Sequence, residues 1–485
     1  MRYHLLLALC CMISIAGTGQ NYHAVNGSSY AGSLGTGNNP ASIVNTPWPW
    51  DLTLFGVQGK AVTNVLTVRN YSLITPPGDA RYQISNKNEP RNVNANYNIN
   101  LLNARYSINR KNAVAAGVNI RGYTRAKTSR FAYMDTLHNL DQWLVMNQNN
   151  LPLSADVFSS HWIEVYGSYA RTIWDNSVNR LNAGITVKVM RGLAGGYGTL
   201  RNGNVSVIPG PDPKYSINGV DAFYAYSSNF DKWDNDLSRT TNIRNFIANA
   251  RGGISLDLGA EFLIKEGGIP NFNEPMDEEY WDYTWKVGVS VLDLGFNQYQ
   301  YSRNSRLLSN LRPGIEATDL DQKFGTVNGI RGFNDSAASL FTNVRVPSGY
   351  FNVINPTRAV LNVDRFITHA FYVNGEISLN LSPLAGDQRI YMKELNFITI
   401  TPRWETRKFG FYLPMQYNTE KKFWVGAAVK AGPVLLGLHN LAYIFSKNSL
   451  QNGGGYLAVV IKPGKKREVS KGRKDRSMRQ YECPE

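Results

Sequence analysis

The sequence predicts an all-β protein, a closed antiparallel β-barrel that crosses an outer membrane. Three observations carry this. Residues 253–265 alternate over a longer run than soluble strands usually show: Ile254, Leu256, Leu258, Ala260, Phe262 and Ile264 share one face, and Ser255, Asp257, Gly259, Glu261 and Leu263 the other. Successive strand side chains point to opposite sides, so such a segment has one apolar face and one mostly polar face. At a tilt of about 45° it is long enough to cross a bilayer. The N-terminus has the features of an export signal. Finally, no later run of about 18 apolar residues exists to supply a membrane helix.

In chain order, residues 1–19 read as a signal peptide. Arg2 gives positive charge, Leu5 to Ala16 an apolar stretch, and Gly17-Thr18-Gly19 a small-residue cleavage site, so the exported chain starts near Gln20. The stretch is short for a membrane anchor. Cys10 and Cys11 do not make a lipoprotein signal, because Leu9 stands where a small residue is expected. Residues 20–50 are rich in Gly, Ser and Asn and end in Trp48-Pro49-Trp50, a candidate interface girdle.

Residues 51–462 hold fifteen strand-like segments, near 51–58, 61–69, 97–108, 113–125, 161–174, 181–191, 219–227, 252–265, 283–301, 366–381, 394–404, 408–417, 422–431, 433–443 and 455–462. A single-chain bacterial barrel has an even number, so the set is off by one. Turn signals at 174–177, 405–407, 418–420 and 432–433 join antiparallel neighbours in a meander. Longer insertions fall near 70–96, 126–160, 193–218, 228–250 and 302–365, the last with a short helical stretch from Asp335 to Phe341. Residues 463–485 form a basic tail containing Lys465, Lys466, Arg467, Arg473 and Lys474.

Composition agrees. The chain has 27 Tyr, 20 Phe and 10 Trp, and barrels gather such rings in two girdles. Mean hydropathy is −0.31, natural where only half of each strand meets lipid. The net charge of +15 would suggest nucleic acid, but the export signal argues against it. Outer-membrane lipid, lipopolysaccharide, and a cell-wall polymer or acidic periplasmic protein at the tail are the expected partners. Only Cys483 survives removal of the signal, so no disulfide forms within one chain.

Ser28-Ser29-Tyr30-Ala31-Gly32-Ser33-Leu34-Gly35, followed by Asn38-Asn39-Pro40-Ala41-Ser42-Ile43, resembles the N-terminus of FadL-like outer-membrane barrels, a superfamily that includes fatty-acid transporters and PorV-type barrels. The runs 409–414, 423–427 and 432–437 are similar to its uncharacterised branch. The resemblance implies about fourteen strands, both termini in the periplasm, and residues near 20–47 folded inward as a plug around Asn39, Pro40 and Ala41. It speaks for fold more than function.

No catalytic constellation, cofactor site or metal site is expected, and the chain is not read as an enzyme. The five histidines of the exported chain show neither a His-Glu-x-x-His arrangement nor zinc spacing. His138 beside Asp135 and Asp141, and His161 beside Ser159 and Ser160, are weak candidates for a rim hydrolase. The acidic cluster Glu274, Asp277, Glu278, Glu279 and Asp282 lacks calcium-loop spacing. If the apolar faces meet lipid, then Asn119, Arg121, Glu164, Thr172, Lys188, Asp257, Glu261, Asn374, Glu376, Asn380 and Lys430 point into the lumen. Unpaired charge in a dry cavity is costly, so these groups are paired or wet. A fatty-acid route needs an apolar pocket instead. The expected function is a plugged channel for a small or amphipathic solute. The alternative is a non-transporting barrel that docks an envelope or secretion partner.

Overall fold

The computed structural model describes residues 22–69, 81–137, 139–210, 214–234, 236–265, 283–368, 370–386, 389–445 and 451–463. The signal segment, the acidic cluster, His138, His369, Cys483 and the basic-tail residues named above lie outside these.

Fourteen wall positions close into an antiparallel barrel. In chain order they are β1 (Trp50–Thr63), β2 (Glu89–Ser107), β3 (Asn112–Phe131), β4 (Leu153–Asp175), β5 (Asn179–Ile208), β6 (Arg251–Ile264) and β7 (Trp285–Gln300). There follow β8 (Tyr350–Ile354 and Arg358–Thr368), β9 (Phe371–Asn380), β10 (Phe397–Glu405) and β11 (Phe409–Tyr412 and Met415–Asn418). The circuit ends with β12 (Phe423–Val425 and Ala427–Ala431), β13 (Val434–Leu438) and β14 (Asn452–Ile461). Each pairs with its sequence neighbour, and β14 pairs back onto β1 with Val57 opposite Leu457. Closure leaves no sheet edge, which a wall in hydrocarbon requires. Pro356 and Pro414 fall at the breaks in β8 and β11, where a residue with no N–H interrupts the ladder.

The alternation behaves as a barrel wall. On β6, Ser255, Asp257, Glu261 and Leu263 are buried while Ile254 and Leu258 are exposed. Val165, Val189, Val289, Leu294, Ile398, Phe411 and Leu436 are likewise among the many large apolar side chains left outside. An apolar outer band over a polar interior is the pattern of a transmembrane barrel and the reverse of a soluble one. No helix among the described residues is long and apolar enough to cross a membrane.

Several sequence expectations need correction. Segment 61–69 is not a separate wall strand: β1 runs through Thr63, and Leu66–Arg69 pairs with Arg81–Ile84 in a two-stranded hairpin. Segment 219–227 contains a short rim strand, Asp221–Tyr226, on the upper part of β5. The expected insertion 302–365 hides most of β8, and the expected loop 193–218 is largely the continuation of β5 to Ile208. The helix placed at 335–341 is Gly329–Leu340. Trp48 is not a girdle residue. It is 2% exposed and faces inward, with the Lys462 ammonium 4.1 Å from its ring centre.

Candidate functional site

Residues 22–49 enter the lumen at the end where β2–β3, β4–β5 and β12–β13 are joined by short turns. Three short 3-10 turns, His23–Val25, Gly32–Gly37 and Pro40–Val44, make up this plug. The Asn-Pro-Ala motif shapes it. Asn39 accepts from the Ala41 N–H at 2.9 Å and donates to the Ala260 carbonyl at 3.0 Å. Pro40 opens the turn with a pre-set φ and no N–H to satisfy. The motif lies against glycines of the wall: a Cβ on Gly184 would stand 2.5 Å from the Pro40 carbonyl carbon, and one on Gly259 would stand 2.1 Å from the Asn39 side-chain oxygen. Only glycine admits so close an approach.

Buried charge ties the plug to the wall. Arg105 donates to Asp51 at 2.5 Å and to the Ile43 carbonyl at 3.0 Å. It also donates to the Trp48 carbonyl and to Ser107. Asp51 in turn accepts from the Ser33 N–H at 2.7 Å. Glu376 accepts from Asn26, Asn38 and Asn362 at 2.8, 2.9 and 3.0 Å. Asn374 supports this by donating to Asn362 at 2.8 Å. His23 lies 3.8 Å from the other Glu376 oxygen, and burial holds its imidazole well below the ordinary histidine range. Lys430 donates to Glu405 at 2.9 Å, and Ser28 of the plug donates to the same carboxylate at 2.5 Å. Arg403 clamps Asp364 with bonds of 2.6 and 2.8 Å.

Higher in the lumen lies a second network. Asp293 accepts two bonds of 2.7 Å from Arg121 and one of 2.6 Å from Lys188. Arg121 also reaches Glu164 at 3.0 Å, and Lys188 reaches Asp257 at 2.7 Å. Asn119 donates to Glu164 at 3.1 Å. The structure thus places Asn119, Arg121, Glu164, Lys188 and Asp257 together, with Asn374, Glu376 and Lys430 below them on the far wall. Glu261 is buried beside the plug, and it borders a small cavity with Asn38 and Asn39. Thr172 is buried and Asn380 half-buried.

Asp293 was missed by the sequence reading. Leu292 and Asp293 are consecutive and both buried, because a bulge opposite Asp257 puts Asp293 at φ +60° and breaks the alternation. Sequence reasoning also missed an inner strap. Ile390 and Tyr391 pair in parallel with Val353 and Ile354, and Met392 and Leu395 are buried in the lumen. Arg358 joins strap to plug, donating to Glu394 at 2.5 Å and to the Gly37 carbonyl at 3.1 Å. Between plug and upper wall lies a small cavity of about 40 Å³. It is lined by Asn98, Asn100, Asn103, Arg121, Lys188 and Asp257, among others.

At the weak hydrolase candidate, Ser159 Oγ is 2.7 Å from His161 Nε2, and Nδ1 is 3.0 Å from the Tyr97 hydroxyl. A phenol, not a carboxylate, stands behind the imidazole. Among the described residues no group of His, Cys, Asp and Glu could hold a metal ion.

The chain is similar over 92% of its length to a TodX deltaS2S3 mutant monoaromatic hydrocarbon channel, at 12% identity, 98% coverage of that chain and a TM-score of 0.43. A FadL homologue of Pseudomonas aeruginosa is 10% identical, with 92% and 97% coverage and a TM-score of 0.39. A TodX deltaS2 mutant is 9% identical, with 89% and 93% coverage and a TM-score of 0.40. Likeness at this level says nothing of cargo, and the barrel stands on the strand pairing described above. No curated protein matches the chain in sequence. A family model matches residues 40–438, so the chain belongs to the family of unknown function DUF5723.

Proposed function

We propose that this protein is an outer-membrane conduit, exported by its signal segment and held closed at rest by its own plug, that passes a small polar or amphipathic solute when the plug moves. The cavity carries this reading. It lies between plug and wall, and amides and paired charges line it, a lining that suits a polar solute and not a fatty acyl chain. Arg358 supports a gated rather than a permanently filled lumen, because one guanidinium fastens both plug and strap. No catalytic step is part of this reading.

The test is solute-induced swelling of proteoliposomes carrying the wild type, Arg358→Met, or a chain lacking residues 22–47. Flux is expected to be low in the wild type and to rise in both variants. Barrels that fold, by heat-modifiable gel mobility, yet pass no solute in any form would end the proposal.

The second reading, docking of an envelope partner, is favoured by the tail, which has nine Lys/Arg against four Asp/Glu from Lys462 onward. A cell-wall polymer or acidic periplasmic protein is the partner of matching charge. Crosslinked pull-downs with and without residues 463–485 decide it: partners unchanged by the deletion would exclude a docking tail.

A further inference from the structure

The inward face of β2 carries an amide ladder. Asn94, Asn96, Asn98 and Asn100 follow at alternate positions, and a bulge between Asn100 and Leu102 brings Asn103 onto the same face. Their partners fix the direction. Val62, Lys60, Gln58 and Gly56 of β1 stand opposite Asn94, Asn96, Asn98 and Asn100, and Gln58, Lys60 and Val62 are buried. On the other side stand Arg125, Tyr123, Arg121 and Asn119 of β3. The ladder descends from the end with the long connections to the plug, where Tyr22 donates to Asn100 at 2.7 Å. Asn100 and Asn103 both donate to Asn119, at 2.8 and 3.0 Å.

Its lower rungs are satisfied by plug and wall. The middle is not. Gln58 is 1% exposed, yet neither atom of its amide has a hydrogen-bond partner, and the Asn98 oxygen opposite it also has none. Buried polar groups are nearly always paired, so adjacent orphans call for a ligand or water. Asn98 borders the cavity.

Of the charges beside it among the described residues, only Arg121 is paired with carboxylates, while Arg125 lies 4.9 and 5.2 Å from the ring centres of Phe158 and Tyr391. Arg121 is held by Asp293 and Glu164. The Lys60 ammonium contacts Gln416 at 3.4 Å and lies 4.9 and 5.0 Å from the ring centres of Phe397 and Trp424. What the amides themselves offer a solute is uncharged: a donor and an acceptor on each, beside the ring of Tyr123. A hydroxyl also both donates and accepts, so a solute with a hydroxyl on each carbon matches this array. A carboxylate can use only its donors.

We infer that Asn94, Asn96, Asn98 and Gln58 form a binding track for an uncharged, hydroxyl-rich solute of the saccharide or polyol class. The inference rests on the conduit reading and names its cargo, yet binding can be measured without transport. Titration calorimetry of the detergent-solubilised full chain is run with maltotriose, glucose, gluconate and benzyl alcohol. The wild type is expected to bind maltotriose saturably and at least tenfold more tightly than gluconate or benzyl alcohol. Asn98→Leu and Gln58→Leu are expected to weaken it by tenfold or more, while Asn182→Leu, buried elsewhere on the wall, leaves it unchanged. A misfolded variant is recognised by lost heat-modifiability and is replaced by Asn98→Ser, expected to weaken binding three- to tenfold.

No maltotriose binding, tighter gluconate binding, or equal affinity in the Asn98 variants would overturn the track. Swelling assays separate the two proposals. Flux without saccharide preference leaves the conduit and removes the track. Saccharide binding sensitive to Asn98, with no flux in any variant, leaves the track and removes the conduit.

Discussion

Arg105→Met is the sharpest test of how the plug is held. The native guanidinium is fully buried and serves four acceptors: Asp51, the Ile43 and Trp48 carbonyls, and Ser107. Methionine fills similar space and donates nothing. Asp51 keeps the Ser33 N–H but loses its cation, and breaking a buried ion pair by removing one partner costs about 3–5 kcal/mol. The two stranded carbonyls belong to the plug, so the loss is local to it. At about 1.4 kcal/mol per tenfold, amide exchange protection across residues 22–48 is expected to fall by roughly two to four orders of magnitude, with β3–β5 unchanged. Arg105→Lys is expected to behave almost as badly, because an ammonium cannot reach all the acceptors of a planar fork. The double variant Arg105→Met/Asp51→Asn removes the stranded charge and is expected to recover part of the loss. Hydrogen exchange read by mass spectrometry, with thermal melting of the heat-modifiable band, measures both. A plug that exchanges at the wild-type rate in Arg105→Met would refute the reasoning, and so would a double variant worse than the single.

Three further outcomes follow from the wall. Gly184→Val puts side-chain atoms where the Pro40 and Ala41 backbone now lies; overpacking of about 1–3 kcal/mol is expected to appear as proteolysis near residue 40 with the barrel intact. Asp293→Asn keeps a residue that tolerates φ +60° while leaving Arg121 and Lys188 short of one carboxylate. A loss of about 3–5 kcal/mol in denaturant unfolding is expected, and a change under about 0.5 kcal/mol would show that the network does not hold the upper lumen. Val189→Lys, on the exposed apolar face of β5, should cost about 2–4 kcal/mol in folding from denaturant into vesicles, against under about 1 kcal/mol for Val207→Lys on the extension of the same strand. Equal costs at the two positions would misplace the membrane band.

The strand faces of this protein were legible in its residues, because a period of two is a local property of the chain. Asn119, Arg121, Glu164, Lys188, Asp257, Asn374, Glu376 and Lys430 sit on inward faces for that reason alone. The same rule failed wherever the ladder departs from regularity. The bulge at Asp293 turned two consecutive residues inward, Val360 facing inward and Arg365 outward blurred the alternation of β8 beyond its break at Pro356, and the length of β5 overran the expected loop. Sequence alone determined the class: long alternating strands, and no run of apolar residues after the N-terminal stretch long enough for a membrane helix, leave a barrel as the economical answer. Only the tertiary structure decided which charges meet. Arg105 finds Asp51 across 54 positions, Arg121 finds Asp293 across 172, and Arg358 reaches Gly37 across 321. Those pairings depend on the closure of the ring, on the depth of the plug and on the strap that lies along β8. Contacts so distant in sequence leave no local pattern. The 253–265 strand shows both parts: its alternation gave the wall, and the partners of Asp257, Lys188 and the Asp293 N–H, appeared only once β5, β6 and β7 stood side by side.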